Sequence, residues 1–249
     1  MNNLKKLRIG ILGVGEVGSS LAKIITPKHH LFLKDIKKDT IGKRKLDVLH
    51  ICLPFNQKFA SLVLNQVKLN QPRLVIIDST VPLNTVEKIH QKIKSVLLVH
   101  SPIRGTHPNL SSDIKKFTKF IGPTSVSAGE KAQQYYQTLG ITTRVLNSSR
   151  ETEMGKLLDT TYYALCIAWH QEMNRFCQKF NINFDQAVTL FNQTYNEGYK
   201  VTKPNVIRPV LTPGFIGGHC LIPNIVLLQT FLKSPFLNLI VKSNKLLKP

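Results

Sequence analysis

The chain has 249 residues, of which 42% are hydrophobic and 19% charged, and this composition is typical of a globular protein with one large or two small domains. Its apolar stretches are far shorter than the roughly 20 residues that span a bilayer, so we expect no membrane partner. The 34 Lys and Arg residues against 14 Asp and Glu give a net charge of +20, which favours phosphorylated ligands. Because the basic residues are scattered and are not interleaved with aromatic residues, we expect no nucleic-acid partner.

The cysteines and the N-terminal segment bear on the compartment. Cys52, Cys166, Cys177 and Cys220 show no CxxC spacing, so no zinc site or other metal site is predicted. The first residues lack the apolar core and the cleavage site of a signal peptide. We therefore expect a cytoplasmic protein whose thiols stay reduced.

The first predicted elements are a strand, a glycine turn and a helix. An apolar run from Leu7 to Leu12 precedes the motif GVGEVG of residues 13–18, and the following SSLAKII has helical apolar spacing. In this context glycines permit a tight turn, close approach of a pyrophosphate and close helix packing, while the helix N-terminus offers N–H groups to the anion. The residues predicted to line a dinucleotide site are Gly13, Gly15, Glu16, Val17 and Gly18.

A second strand, His30 to Lys34, ends at an acidic residue. Asp35 lies 22 residues after Gly13, close to the spacing of a carboxylate that binds the ribose hydroxyls of NAD. Asp35 would repel the 2′-phosphate of NADP, so NAD is the predicted cofactor, although the lysines at positions 34, 37 and 38 weaken that preference.

Five more strands are predicted by near-continuous apolar runs, which are typical of a parallel sheet covered on both faces. They are Asp47 to Leu53, Arg73 to Asp78, Val96 to His100, Phe117 to Ile121 and Thr142 to Leu146. Ligands bind beyond the carboxyl ends of such strands, which places Pro54, Thr80 and Arg104 near a ligand, although a proline there could equally end a strand. Residues 1–148 are therefore predicted to form an NAD-binding α/β domain with a Rossmann-type, doubly wound, mostly parallel sheet.

The second half of the sequence predicts helices. Ser148 and Glu151 have the spacing of a capping box, and from there to about Phe180 only Gly155 interrupts a helical pattern, so we predict one long central helix. Its apolar face would connect two domains or form the seam of a homodimer. After a stop at Asn181, a second helix is predicted from residue 184 to residue 196, ended by the glycine at position 198. Residues 149–249 are predicted to form a small helical domain.

Two side chains of the second half could carry chemistry. Lys156 lies early in the long helix, where desolvation or a neighbouring charge could tune its amine, and a plain surface lysine is the alternative. The stretch PGFIGGHC, residues 213–220, ends in a thiol after Gly217 and Gly218. Either these glycines let a substrate reach a nucleophilic Cys220, or Cys220 is a small buried residue of a turn.

The order of these parts resembles the UDP-glucose/GDP-mannose dehydrogenase family. The shared parts are the GxGxVG turn, the acid at the strand end, DSTVP, an SP-x-R-G-like loop, the lysine early in a long helix and GGHC. The resemblance covers almost the whole chain, and GGHC is its most specific element. Members of that family oxidise the primary alcohol of a nucleotide sugar to a carboxylate with two NAD molecules.

The resemblance implies roles for several residues. Cys220 would be the nucleophile, Lys156 the amine beside the reacting oxygen, and Thr80 a hydroxyl on the side of the cofactor or of water. Gly217 and Gly218 would let the sugar approach. The further residues predicted to contact the substrate, a phosphorylated or nucleotide-linked small molecule, are Arg104 and Arg208.

Three positions depart from the family pattern. Thr160 stands where the family has asparagine, Asn224 where it has a water-activating aspartate, and Ile103 where it has glutamate. In the family, the cysteine forms a thioester that water then hydrolyses, and the positions of Thr160 and Asn224 take part in catalysis. An amide and an aliphatic side chain cannot accept a proton at pH 7. The departures therefore argue against thioester hydrolysis as the family performs it. The family's additional C-terminal nucleotide-binding domain is also not expected in this chain.

Three hypotheses remain open at the level of sequence. The first is an NAD-dependent dehydrogenase of a sugar nucleotide or a smaller hydroxylated substrate, acting through Cys220 and Lys156. The second is a single-hydride enzyme, because 3-hydroxyacid dehydrogenases are also similar to this chain in having a Rossmann half followed by a helix with a catalytic lysine. The third is a catalytically impaired NAD-binding protein.

Overall fold

The computed structural model describes residues 6–106 and 108–247. The chain divides into two compact units, Met1–Lys156 and Leu157–Pro249. The division falls within one long helix, Ser149–Lys179. The domain boundary predicted after residue 148 precedes this helix and stays a prediction.

A single eight-stranded sheet organises the first unit. Its strands, in the described part of the chain, are β1 (Arg8–Leu12), β2 (His30–Asp35), β3 (Lys38–Asp39), β4 (Val48–Ile51), β5 (Leu74–Ile77), β6 (Leu97–His100), β7 (Lys119–Pro123) and β8 (Thr143–Val145). They lie in the order β3-β2-β1-β4-β5-β6-β7-β8. All pairs are parallel except β2 with β3 and β6 with β7. The predicted mostly parallel, doubly wound α/β fold is confirmed.

Helices cover both faces of this sheet, which explains why its strands are apolar without alternation. The helices of the first unit are α1 (Glu16–Ile25), α2 (Phe59–Asn70), α3 (Thr85–His90), α4 (Leu110–Lys116) and α5 (Val126–Leu139). Within β5, Leu74 and Ile76 join a core that includes residues of α1, α4 and α5, whereas Val75 and Ile77 join a core with α2 and α3. Successive side chains of a strand point to opposite faces, so a strand buried on both sides needs an apolar residue at every position.

The second unit is helical. Beyond α6 (Ser149–Lys179), which reaches into it, it contains a π-helical turn (Asp185–Thr189), α7 (Leu190–Tyr199), a short 3₁₀ turn (Pro204–Val206), α8 (Leu221–Gln229) and α9 (Pro235–Lys245). The predicted stop at Asn181 is confirmed, because α6 ends at Lys179 and Asn181, two residues later, adopts a left-handed φ of 54°. The prediction that Gly198 ends the next helix is wrong, since α7 continues through Gly198 to Tyr199.

A buried ion pair lies between β5 and β7 in the first unit. Lys119 Nζ is 3.1 Å from Asp78 Oδ1, and the two side chains are 3% and 0% exposed. His50 on β4 donates from Nδ1 to Asp78 Oδ2 at 2.7 Å, and its Nε2 lies 2.8 Å from the hydroxyl of Tyr135. Lys119 also donates to the carbonyl of Ser101. These contacts supply the polar partners that buried charges require.

Removing one member of this pair is expected to destabilise the fold strongly. Lys119→Met leaves the carboxylate of Asp78 buried without its cation, and we expect a loss of about 3 to 5 kcal/mol in the free energy of unfolding. Adding Asp78→Asn removes the uncompensated charge and should restore part of that loss. Urea unfolding of the single and double variants measures both values.

Lys116→Met, at an exposed position of α4, is the matched control and should change the unfolding free energy by no more than about 0.5 kcal/mol. Equal losses in the single and double variants at Lys119 and Asp78 would contradict the electrostatic explanation.

Candidate active site

The loop between β1 and α1 and the first turn of α1 together contain three glycines, and each position has a different steric environment. Gly13 has a φ of +93°, and a Cβ there would lie 2.7 Å from the carbonyl oxygen of Cys52. A Cβ on Gly18 would lie 1.9 Å from the carbonyl oxygen of Gly13, so only glycine lets α1 pack this closely on the loop. A Cβ on Gly15 would meet no atom within 4 Å. The tight turn, the close helix packing and the open backbone at the middle glycine are the three features of a pyrophosphate-binding loop.

The other predicted residues of this loop differ in exposure. Glu16 is exposed in the first turn of α1, whereas Val17 is half-buried and packs against the core. Asp35, at the end of β2, accepts hydrogen bonds from the backbone N–H of Val14 and from that of Ile36. These bonds, that of Val14 first, lower the pKa of Asp35 below its ordinary value. A carboxylate is thus fixed beside the glycine loop, where a ribose would lie.

The sheet reverses its strand order between β1 and β4, which is where ligands bind in open α/β sheets. Pro54 follows β4 and is exposed, and Thr80 follows β5 and is half-buried. The hydroxyl of Ser79 lies 2.6 Å from the carbonyl oxygen of Leu53 and ties the two loops together. Both predicted cofactor contacts therefore lie at the carboxyl edge of strands next to the reversal.

Arg104, predicted to bind substrate, lies after β6 and makes contacts of its own. Its guanidinium carbon is 5.5 Å from the ring centroid of Phe117 and 5.4 Å from that of Phe120. Cation–π contacts of this kind fix a guanidinium against the protein. A substrate contact of Arg104 stays a prediction.

The start of α6 is fixed by its capping residue. The hydroxyl of Ser148 accepts from the backbone N–H of Arg150 at 3.2 Å and donates to the carboxylate of Glu151. This hydrogen bond lowers the pKa of Glu151. The sequence predicted a cap at Ser148 with Glu151 as its partner, and the structure brings these two side chains together.

The next turn of α6 is attached to the carboxyl edge of the sheet through a buried histidine. His100, the last residue of β6, donates from Nε2 to the carbonyl of Ser79 at 3.0 Å, and its Nδ1 lies 2.8 Å from the hydroxyl of Thr152. Burial lowers the pKa of His100 to about 4, so the ring is neutral at pH 7 and Nδ1 can accept from the threonine.

Glu153 attaches the same turn of α6 to the start of α3. Its Oε2 accepts from the backbone N–H of Asn84 at 2.7 Å and its Oε1 accepts from that of Val86 at 2.8 Å. The side chain is fully buried, and this burial raises its pKa to about 7 against the opposing effect of the two hydrogen bonds. Two consecutive residues thus fix the first turns of α6 to the edge of the sheet.

Lys156 follows one helical turn later and is half-buried. Its positive charge contributes to lowering the pKa of His100 and that of Lys119, after larger effects headed by burial. An ammonium that affects these two groups lies near the carboxyl ends of the central strands, on the side of the sheet where Thr80 also lies. A contact of Lys156 with the cofactor or substrate stays a prediction.

Cys220 lies in the second unit, immediately before α8, and it is exposed. The interpretation of this thiol as a small buried residue is therefore wrong. Gly218 before it has a φ of +78°, a left-handed conformation that favours glycine, and a Cβ on it would meet no atom within 4 Å. Gly217 is exposed as well. The backbone in front of the thiol is open to a ligand.

The segment that precedes the thiol is held by buried amide side chains. Asn244 of α9 accepts from the backbone N–H of Ile216 at 2.7 Å and donates to the carbonyl of the same residue at 3.1 Å. Gln171 of α6 donates to the carbonyl of Gly214 at 2.8 Å. These bonds fix the start of the glycine segment, because a buried backbone group is costly without a partner.

Asn224 and Thr160, two of the departures from the family pattern, contact each other. Asn224 Nδ2 donates to Thr160 Oγ1 at 3.1 Å, and both side chains are buried. The threonine hydroxyl in turn donates to the carbonyl of Leu157 at 3.0 Å. The backbone N–H of Asn224 donates to the carbonyl of Cys220 at 3.0 Å, so this pair lies one turn from the thiol.

Arg208, the other predicted substrate contact, is exposed and lies in the second unit. Its guanidinium carbon is 3.5 Å from the ring centroid of Tyr195. The side chain of Asn196 bonds to both its backbone N–H and its carbonyl, each at 2.8 Å. Lys156 and Cys220 belong to different units, and their joint action stays a prediction.

The sequence reasoning missed the residues that support this edge of the sheet, namely His50, Asp78, His100, Lys119, Thr152 and Glu153. One signal was available: the apolar runs VLHICL and LVIID contain a histidine and an aspartate at positions that a sheet covered on both faces would bury. A buried polar side chain implies a partner, although the sequence does not show which one.

Two absences concern the described residues 6–106 and 108–247. Among them, no three or more His, Cys, Asp or Glu side chains are grouped as ligands of a metal ion. No helix within these ranges has the length and apolar character needed to cross a membrane.

Comparison with known proteins identifies a matching family and several relatives. Residues 150–245 match the UDP-glucose/GDP-mannose dehydrogenase family, central domain, which confirms the resemblance for that part of the chain. The chain is 26% identical over 193 residues to UDP-N-acetyl-D-mannosamine dehydrogenase of Methanocaldococcus jannaschii, a match that covers 71% of this chain and only 43% of that protein.

Solved structures with the same fold include two kinds of dehydrogenase. The UDP-D-ManNAc dehydrogenase from Pyrococcus horikoshii superposes with a TM-score of 0.79 at 21% identity, over 97% of this chain and 68% of that one. The 3-hydroxyisobutyrate dehydrogenase of Mycobacterium tuberculosis superposes with a TM-score of 0.66 at 13% identity, over 96% of this chain and 92% of that one. At these identities the likeness concerns the fold.

The glycine loop provides a matched pair of substitutions. Gly18→Ala puts a methyl group into the backbone of Gly13, and we expect a loss of about 1 to 3 kcal/mol in unfolding free energy. Gly15→Ala meets open space, so its cost should stay below about 1 kcal/mol, while binding of a dinucleotide should weaken. Thermal unfolding and a nucleotide titration separate the two effects, and equal destabilisation by both changes would contradict the steric argument.

Glu153 is expected to make stability depend on pH. Its pKa is raised in the folded state to about 7, so its neutral form contributes stability that is complete below the unfolded-state pKa and is lost as the pH rises through about 7. Glu153→Gln cannot ionise. The difference in unfolding free energy between the native chain and this variant should therefore fall between pH 4.5 and 8, by an amount on the order of 3 kcal/mol.

Comparing the two chains cancels the titration of other groups, including His100, whose lowered pKa acts in the opposite direction as the pH falls. A difference in unfolding free energy that stays constant from pH 4.5 to pH 8 would show that folding does not raise the pKa of Glu153.

Proposed function

We propose that the chain is an NAD-dependent oxidoreductase that acts on a hydroxyl group of a sugar nucleotide or of a smaller hydroxylated substrate. The observation that carries the proposal is the glycine motif, in which side chains at Gly13 and Gly18 would block the tight turn and the close helix packing, while Gly15 leaves open backbone that a pyrophosphate could approach. The family match over residues 150–245 supports the class of substrate. The relatives include a UDP-N-acetyl-D-mannosamine dehydrogenase, whose name points to a nucleotide sugar.

The residues that would hold NAD are those of the carboxyl edge. Gly15 would take the pyrophosphate against its open backbone, where the N-terminal amides of α1 offer donors. Asp35 would accept hydrogen bonds from the ribose hydroxyls. Pro54 and Thr80 would line the carboxyl edge on the other side of the strand reversal. NAD, when bound, supplies the hydride acceptor of the reaction.

The chain's own groups would perform the remaining chemistry. Cys220, exposed beside an open glycine backbone, would add its sulfur as a thiolate to a carbonyl carbon of the oxidised substrate. A C–S bond would form, the π bond of the carbonyl would break, and its electron pair would move to the oxygen, which then takes a proton. Lys156 would stabilise the negative charge on the oxygen of that carbon or exchange a proton with it. Gly217 and Gly218 would leave room for the substrate, and Arg104 and Arg208 would supply positive charge.

A second candidate, a single-hydride enzyme of the 3-hydroxyacid dehydrogenase type, is favoured by one observation. The amide of Asn224 donates to Thr160, whose hydroxyl hydrogen is already donated to Leu157. Neither side chain can take a proton from water, because an amide does not accept protons at pH 7 and the hydroxyl is engaged. Ile103 is 6% exposed within an apolar core. Hydrolysis of a thioester would therefore be slow, which favours an enzyme that releases the product of its first oxidation and forms no thioester.

The quaternary structure and the compartment belong to the same proposal. Aromatic side chains on the outside of α6, Trp169 and Phe176, are 54% and 48% exposed and stack edge to face. A second copy of the chain would cover such a face, so we propose a homodimer. The four free cysteines fit the reducing conditions of the cytoplasm.

Turnover on UDP-sugars with NAD tests the function directly. We expect NADH formation that falls by at least about 100-fold in Cys220→Ser and in Lys156→Ala, because removal of a catalytic nucleophile or proton-exchange group costs at least this much. The matched control is Cys166→Ser, which changes a half-buried cysteine of α6. This variant should keep the native rate. Absorbance at the NADH band measures all four proteins.

The stoichiometry separates the two enzymes. Two NADH per substrate molecule supports oxidation to a carboxylate, and one NADH with Cys220→Ser unaffected supports the single-hydride enzyme. NAD binding with no turnover on any hydroxylated substrate would contradict both and leave a nucleotide-binding protein.

A further inference from the structure

The β2–β3 hairpin beyond Asp35 carries an excess of positive charge. Residues 34–45 contain six basic residues and two carboxylates, a net charge of +4. The basic residues are Lys34, Lys37, Lys38, Lys43, Arg44 and Lys45. In the Rossmann fold this position adjoins the adenosine ribose, because the acid at the end of β2 binds the ribose hydroxyls.

Both carboxylates of the hairpin have partners already. Asp35 accepts from two backbone N–H groups. Asp39 lies 2.8 Å from Lys34 Nζ and accepts from the backbone of Ile41 and of Gly42, each at 2.9 Å. Arg44 is also engaged, since its guanidinium bonds to the carbonyl of Thr40 at 3.1 Å and lies over the ring of Phe32.

Lys37 and Lys38 are exposed and form no ion pair within the described part of the chain. The same holds for Lys43 and Lys45, but these two follow the hairpin, whereas Lys37 and Lys38 lie beside Asp35. In the antiparallel register of the hairpin, Lys38 is directly opposite Asp35. Residues opposite each other in such a pair project from the same face. Lys38 therefore projects from the face on which Asp35 meets the glycine loop, and Lys37 precedes it in the turn.

We propose that the adenosine site also accepts a phosphate on the ribose 2′-oxygen, so that the chain binds NADP as well as NAD. Lys38 and Lys37 would bind that phosphate. This inference rests on the proposed function of NAD binding. The carboxylate of Asp35 would repel the phosphate, but the two ammonium groups carry twice its charge with the opposite sign, and their net effect on the phosphate would be attractive. The same carboxylate remains available to the hydroxyls of NAD.

The test is a titration of the full chain with NAD and with NADP, together with the fragments 5′-AMP and 2′,5′-ADP, which differ by the 2′-phosphate. We expect NADP to bind within about 10-fold of NAD at low salt, and 2′,5′-ADP to bind more tightly than 5′-AMP. The double variant Lys37→Ala/Lys38→Ala should weaken NADP by about 10-fold and leave NAD within about twofold, since only the 2′-phosphate contacts the lysines.

The matched control is Lys23→Ala/Lys28→Ala, which removes the same charge from exposed positions in the last turn of α1 and just before β2, at the opposite edge of the sheet. It should leave the ratio of NADP to NAD affinity unchanged. Binding of NAD with NADP weaker by more than about 100-fold, or equal loss of both nucleotides in the Lys37/Lys38 variant, overturns this inference and leaves the proposed function intact. Failure of NAD itself to bind overturns the proposed function.

Discussion

The contact between the backbone of Gly18 and the carbonyl of Gly13 is the constraint on which the first unit depends. A side chain at position 18 would overlap that carbonyl, so α1 can start where it does only because the residue has no Cβ. The same approach directs the N-terminal amides of α1 across the carboxyl edge of β1, beside Asp35. A dinucleotide loop, an acid and a strand reversal thus result from one close backbone contact and the sheet order around it.

A second set of contacts fixes where the long helix begins. Thr152 and Glu153 are consecutive, and they reach two different elements, the end of β6 and the start of α3. Because a helix is stiff, fixing two residues of one turn also fixes the direction of the residue one turn later, which is Lys156. The backbone of Lys156 therefore takes its position from the buried residues one turn earlier, whose contacts include a neutral histidine and whose carboxyl group has a raised pKa.

The sequence was informative wherever one local pattern had a single physical solution. Apolar runs located seven of the eight strands to within one or two residues, and the glycine motif located the loop. The hairpin strand Lys38–Asp39 was missed because two charged residues carry no strand pattern, and the antiparallel direction of β7 was not predicted because an apolar run has no direction. Gly198 was taken as a helix end because glycine is common there, although tertiary packing tolerates it within a helix. The network around His50 joins residues 28 and 85 positions apart, a separation that no local pattern encodes.

The buried pair of Asp78 and Lys119 has a thermal consequence. Removing charges from water costs less free energy as temperature rises, because the hydration of ions has a strongly negative entropy. The penalty for enclosing this aspartate and lysine therefore shrinks on warming, while their mutual attraction inside the protein persists. The buried ion pair at the centre of an otherwise apolar sheet therefore contributes more favourably to the stability of the fold at high temperature than at low temperature.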